Sequence, residues 1–364
     1  MPPIRILVVD DSVLIRKVLC DALASDPAIE VAGTAADGRI ALTKITQLNP
    51  DLLTLGVEMP NLSGLEAIPE IRKLYPKLPI IMFSTLTESG AATTLDALAL
   101  GASDYVTKPS NTGSLDVTME RIKQDLIPKI KALCGVREVS ARPAVAAIPV
   151  KRPALAAAST LPAPRVDVLA VGTSTGGPNA LAELLQAIPG DFPVPIVIVQ
   201  HMPPVFTRML AERLGKKAAI KVREGEPGIR LQPGEAWIAP GDYHMTVERH
   251  GTSMQLAMNQ GPPENSCRPA VDALFRSVAA AFGASTLAVV MTGMGSDGVL
   301  GAQMVHERGG QVYVQDEASS VVWGMPGQVA SAGWAHKILP LGMLASEIDR
   351  HIRKSRQALS PAMR

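Results

Sequence analysis

Short apolar runs, each handing over to an amphipathic stretch, recur along this chain and confine it to an α/β fold built on parallel strands. Within residues 1–133 the alternation repeats five times: Ile4-Arg-Ile-Leu-Val-Val9 reads as a buried strand, and further strands are predicted near 29–32, 51–55, 79–83 and 104–106. Helical patterns separate and follow them near 13–19, 38–48, 65–74, 90–100 and 114–133. This describes a doubly wound, flavodoxin-like five-stranded sheet, whose functional groups collect at the carboxyl ends of the strands. Those ends carry Asp10 and Asp11, Ser84, and Lys108. Paired carboxylates suit a hard cation such as Mg2+, a hydroxyl can hydrogen-bond a phosphoryl oxygen, and an ammonium can neutralise one. Taken singly, each has a plainer reading as a helix cap or a surface charge.

A length of 364 residues favours two or three domains, and a hydrophobic fraction of 47% is ample for their cores. The net charge of +1 speaks against nucleic acid or an anionic membrane as the main partner. Cys20, Cys134 and Cys267 are far apart and form no C-x-x-C pair, so a reducing compartment is expected. The first apolar stretch is too short for a signal peptide, and no run approaches the ~20 residues of a membrane span, so a cytoplasmic location without membrane insertion follows. Ala and Pro dominate residues 134–165, a semi-extended linker, leaving 166–352 as a second domain and 353–364 as a tail.

That second domain opens with an apolar strand that stops at Gly172 and turns through Gly172-Thr-Ser-Thr-Gly176 into a helix marked by Pro178. The turn satisfies the nucleophile-elbow pattern and would hold Ser174 out from the sheet, although such loops also cradle phosphates. A strand at 194–199 delivers His201, and another at 287–291 delivers Asp297 within Thr292-Gly-Met-Gly-Ser-Asp-Gly298. Three strands would thus aim a serine, a histidine and an aspartate at one rim, the set that nucleophilic acyl transfer requires. The backbone N–H groups of Thr175 and Met294 are candidate oxyanion donors. His201 could instead serve structure alone, and Asp297 could cap the helix that follows it.

Val-Asp-Asp-Ser at 9–12, Val-Glu-Met-Pro at 57–60 and Thr-Lys-Pro at 107–109 resemble a response-regulator receiver domain. The resemblance places the family's phosphate-accepting aspartate at the end of the third strand, where this chain has Gly56. Glycine offers no nucleophile, so phosphorylation at that position is chemically excluded. The remainder resembles the methylesterase domain of the CheB family through Gly-Thr-Ser-Thr-Gly-Gly at 172–177, Gln-His-Met-Pro-Pro at 200–204, Arg-Pro-Ala-Val-Asp at 268–272 and Thr-Gly-Met-Gly-Ser-Asp-Gly at 292–298.

The resemblance implies a Rossmann-like three-layer α/β domain with Ser174 as nucleophile, His201 as general base, Asp297 as triad carboxylate and Met294 as oxyanion donor. It also implies hydrolysis of glutamate methyl esters, and deamidation of glutamines, on chemoreceptor signalling helices. A chemotaxis histidine kinase is the expected regulatory partner, the protein is expected to act as a monomer, and no cofactor is expected for catalysis, with Mg2+ confined to Asp10 and Asp11. A histidine is expected before Arg268, where this chain has Cys267. Two rival readings are a non-catalytic regulator that binds receptor or kinase, and a nucleotide-binding domain using the 172–177 loop.

Overall fold

The computed structural model describes residues 2–108, 115–135 and 164–357. Most of the expected linker and the last residues of the tail therefore lie outside the described residues.

The N-terminal half alternates β1 (Ile4–Val9), α1 (Val13–Leu23), β2 (Ile29–Ala35), α2 (Gly38–Leu48), β3 (Leu52–Gly56), α3 (Gly64–Leu74), β4 (Ile80–Ser84), α4 (Glu88–Ala99), β5 (Asp104–Thr107) and α5 (Leu115–Leu133). Its five strands pair in parallel in the order β2-β1-β3-β4-β5, the flavodoxin-like topology read from the sequence. Ile6, Leu7, Val8 and Val9 are all fully buried because helices cover both faces of the sheet, which is why β1 reads as a continuous apolar run rather than an alternating one. The helices start where a side chain can satisfy a free N–H. Ser12 accepts from Ile15, Asp37 from Ile40 and Thr87 from Gly90, while Ser63 and Glu66 form a reciprocal capping box. The Thr87 cap explains why α4 begins two residues before the expected 90. The strand expected at 29–32 continues to Ala35, since Gly33 and Thr34, turn-like in isolation, pair with Leu7 and Val8.

The C-terminal half contains β6 (Val168–Thr173), α6 (Gly177–Ala187), β7 (Ile196–Gln200), α7 (Phe206–Gly215), β8 (Lys221–Glu224), β9 (Glu235–Ile238), β10 (His244–His250), β11 (Ser253–Asn259), α8 (Val271–Phe282), β12 (Thr286–Val290), α9 (Val299–Glu307), β13 (Gln311–Gln315), α10 (Met325–Ser331), β14 (Lys337–Leu339) and α11 (Leu341–Gln357). A seven-stranded parallel sheet runs β14-β13-β12-β6-β7-β9-β8, and β10 and β11 form a separate antiparallel hairpin. The chain leaves β6 toward β7 and later returns to its other side at β12, so β6 sits where the strand order reverses. Crevices form at such a switch point, outside the carboxyl ends of the strands.

The tail expected from 353 needs correction. Helix α11 carries on to Gln357 because its last turn is bound to the domain: the Ser355 hydroxyl accepts the Val166 N–H at 3.1 Å, and Arg356 Nη1 donates to the Asp167 carboxylate at 2.8 Å. Among the described residues, no helix is long and apolar enough to cross a membrane.

The halves pack through α4 and β5 on one side and α6 and α7 on the other. The Tyr105 ring stacks on Phe206 with centroids 4.8 Å apart and planes within 4°. Asn179 Nδ2 donates to the Leu98 carbonyl at 2.7 Å, and Arg208 and Arg213 on α7 form ion pairs with Glu88 and Asp96 on α4.

Candidate active site

Register brings the first two groups together. Thr173 on β6 lies beside Gln200 on β7, so Ser174 and His201 are the next residues out of adjacent parallel strands. Gln200 ties the two exits, its Nε2 donating to the Ser174 carbonyl at 3.0 Å and to the His201 carbonyl at 3.2 Å. On the other flank the Ser174 N–H donates to the Thr292 carbonyl at 3.0 Å, beyond the end of β12. A Cβ at Gly177 would fall 1.9 Å from Gln200 Oε1, so a larger residue there would have to displace the glutamine that ties the two exits. Gly176, at φ 78°, makes the left-handed entry to α6 that other residues resist.

Asp297 is buried and densely held. Its carboxylate accepts His201 Nε2–H at 2.7 Å, the Val271 N–H at 2.6 Å, the Asp272 N–H at 3.0 Å and Asn265 Nδ2–H at 3.1 Å. The aspartate thus caps α8, whereas Gly298 stands at the N-cap of α9, the helix that the alternative sequence reading assigned to it. Burial pushes its carboxyl up, but His201 and the backbone N–H groups of α8 prevail and hold it below the usual carboxylate range. Asp272 carries the opposite balance: burial, with Asp297 nearby, raises it even though the Gly301 and Gly298 N–H groups bind its oxygen.

With Nε2 on Asp297, the second ring nitrogen of His201 decides what the imidazole can do. Nδ1 lies 3.5 Å from Cys267 Sγ. Burial pulls the imidazolium down, yet Cys267 and Asp297 outweigh it and lift His201 to about 10. The Ser174 hydroxyl makes no hydrogen bond among the described residues. The expected serine–histidine–aspartate relay is therefore closed at its histidine–aspartate link and open at its serine–histidine link, because Nδ1, the nitrogen left for the serine, faces the Cys267 thiol. The sequence analysis gave Cys267 no role in the site. The signal was present in the cysteine that stands where a histidine is expected, but the partner is 66 positions away.

The Thr175 and Met294 N–H groups donate to nothing among the described residues, which leaves both available to an oxyanion next to Ser174. The Thr175 hydroxyl is engaged, donating to Asp104 Oδ2 of the N-terminal half at 2.7 Å. Asp104 is itself paired with Lys129 at 2.8 Å. The residue after the candidate nucleophile is thus bound directly to β5.

The second set of expected groups does not form a comparable site. Asp10 is fully buried, its Oδ2 2.8 Å from Lys108 Nζ and its Oδ1 accepting the Ser12 N–H at 3.0 Å. Burial pushes its carboxyl up despite Lys108. Asp11 is exposed. Ser84, the last residue of β4, turns toward α4, donating to the Gly90 carbonyl at 3.1 Å and accepting from Thr94 Oγ1 at 2.6 Å. Gly56 ends β3 directly against Asp10, and a Cβ there would stand 2.9 Å from Asp10 Oδ2. These residues do not fit Mg2+: the Lys108 ammonium occupies the oxygen that a cation would use, and Gly56 supplies no carboxylate. Among the described residues, no three His, Cys, Asp or Glu side chains converge to hold a metal ion.

Fold and site together define a receiver domain joined to an α/β domain with a serine, a histidine and an aspartate at a sheet switch point. The family models for the response regulator receiver domain and for CheB methylesterase match residues 6–120 and 169–348. The chain is 52% identical to the protein-glutamate methylesterase/protein-glutamine glutaminase of a Nocardioides species, over 100% of this chain and 99% of that one. The Trichodesmium erythraeum protein of the same name is 52% identical over 97% of this chain and 100% of its own. The Thermotoga maritima CheB methylesterase catalytic domain superposes with a TM-score of 0.51 at 38% identity, covering 51% of this chain and 98% of that structure. The chain belongs to the CheB family.

Proposed function

We propose that the protein hydrolyses glutamate methyl esters on chemoreceptors, releasing methanol, and deamidates glutamines there, with Ser174 as nucleophile, His201 as base and Asp297 as the carboxylate that positions it. The observation that carries this reading is the 2.7 Å contact between His201 and the buried Asp297 at the strand end adjoining Ser174. Asp297 holds the Nε2–H tautomer, so the lone pair left to accept the serine proton is on Nδ1. Attack of Ser174 Oγ on the ester carbonyl gives a tetrahedral oxyanion, which the free N–H groups of Thr175 and Met294 suit. Collapse expels methoxide, protonated from His201 to methanol, and a water repeats the sequence on the acyl-enzyme. An amide passes through the same oxyanion, so one site serves both reactions.

The rival of a non-catalytic regulator gives no reason for a desolvated His–Asp pair beside a serine. The nucleotide-binding rival would need a ribose-binding acid after the second strand of this domain, where His201 stands. The protein is taken to act as a monomer in a reducing cytoplasm, a compartment that the free cysteines suit. A histidine kinase remains the natural partner of a receiver, but no phosphoryl group can be taken at Gly56. Methanol release from methylated receptor membranes tests the reading: Ser174→Ala should abolish it while leaving the fold intact, and turnover in that variant would reject it.

A further inference from the structure

Three thiols stand in this chain, and their surroundings differ in kind. Cys20 on α1 and Cys134 beyond α5 are pushed up by burial, Cys134 to about 11, and neither has a base beside it. Cys267 is partly exposed and lies 3.5 Å from His201 Nδ1, while Asp297 holds the opposite ring nitrogen at 2.7 Å. Its position is fixed from both sides. A tight turn closes 264–267, with Asn265 and Ser266 at φ 50° and 62° and paired backbone bonds between Glu264 and Cys267 at 3.1 and 2.8 Å. Glu264 is anchored by Arg276, and the next residue, Arg268, is held by Asp242 and the Gly261 carbonyl.

We propose that Cys267 and His201 form a reactive thiol–imidazole pair, a modification site for soft electrophiles such as alkyl halides and hydroperoxides, and that capture of the sulfur silences the esterase by taking the space and the base that Ser174 needs. The silencing rests on the role proposed above for His201; the reactivity of the pair does not. Beside the charged imidazole the thiol gives its proton to solvent and the sulfur attacks. With an alkyl halide, a carbon–sulfur bond forms, the carbon–halogen bond breaks and halide departs. With a hydroperoxide, a sulfur–oxygen bond forms and the oxygen–oxygen bond breaks. Sulfur loses two electrons, the departing oxygen gains them, and it takes the proton from His201 to leave as water or an alcohol. The product is a sulfenic acid that an added thiol reduces.

The full-length protein is treated with limiting iodoacetamide at neutral pH, and peptide masses and methanol release are followed together. Residue 267 should label on the order of tenfold faster than 20 or 134, with activity falling in step, and His201→Gln should slow that labelling by a similar factor. In Cys267→Ser, methanol release relative to its own untreated sample should no longer respond, and hydrogen peroxide should inhibit the unmodified chain reversibly but not this variant. Equal labelling of the three thiols, unchanged labelling in His201→Gln, or full methanol release from protein alkylated at 267 would each overturn the proposal. Labelling in Ser174→Ala separates the two readings, because the thiol should react there as in the unmodified chain whether or not Ser174 proves to be the nucleophile.

Discussion

Two buried aspartates, Asp10 in the receiver and Asp297 in the catalytic half, occupy equivalent ground, each at the carboxyl end of a central strand region in a parallel sheet. Their surroundings send them in opposite directions. Asp297 has two backbone N–H groups, an amide and an imidazole on its oxygens, and stays below the ordinary carboxylate range. Asp10 has one N–H group and Lys108, and burial carries it above that range. The lesson is that a strand-end carboxylate acquires a role from the donors that the rest of the fold supplies. Asp297 is provided with an imidazole to orient, whereas Asp10 faces Gly56, where an acceptor carboxylate would have completed the pocket.

The contrast breaks first if the catalytic half proves inert. Ser174→Ala should lower methanol release by about three orders of magnitude or more with an unchanged melting temperature, as loss of a triad nucleophile does. Asp297→Asn should cost about 10²–10⁴ in kcat, because an amide no longer enforces the tautomer that leaves Nδ1 free. Lys108→Ala, the matching disruption at Asp10, should leave methanol release within about twofold, a ratio that sharpens the comparison.

A pH series probes the same pair. His201 accepts a proton only when neutral, and with its pKa lifted to about 10 the rate should climb with pH from 7 toward 10. Its contribution to stability has the opposite sign: the folded pKa lies above the ordinary 6.5, so the contribution is complete below 6.5 and lost as pH rises through about 10. Urea midpoints should fall across that interval, and an acid-side loss alone would contradict the assignment.

Smaller effects belong to the contact between the halves. Asp104→Ala removes the carboxylate that holds the Thr175 hydroxyl, and should raise methanol release severalfold by loosening β5 from the residue next to Ser174. The smallest expected effect is none: a small phosphodonor should add no mass to the receiver and leave turnover unchanged. Gly56→Asp should restore an acid-labile adduct only if Asp10 yields, since the new Cβ would approach its Oδ2 to 2.9 Å.

The fold was largely legible because its signals are local. Apolar runs such as 168–172 are written in consecutive residues, and they placed the strand ends that carry Ser174, His201 and Asp297. The early stop assigned to β2 shows the limit, since a partner distant in sequence extended the strand past a local signal to end.

What the amino-acid sequence determined by itself was the identity of the groups and the strand from which each emerges, together with the loss of an acceptor at 56. Only the tertiary structure decided which ring nitrogen of His201 meets Asp297, that Cys267 faces the other, that Ser84 turns away from Asp10, and that Asp104 reaches Thr175 across the domain boundary. Periodicity reports which face of an element is buried, but the partner that a polar atom finds depends on distances between segments far apart in the chain, and those exist only once the sheets have packed.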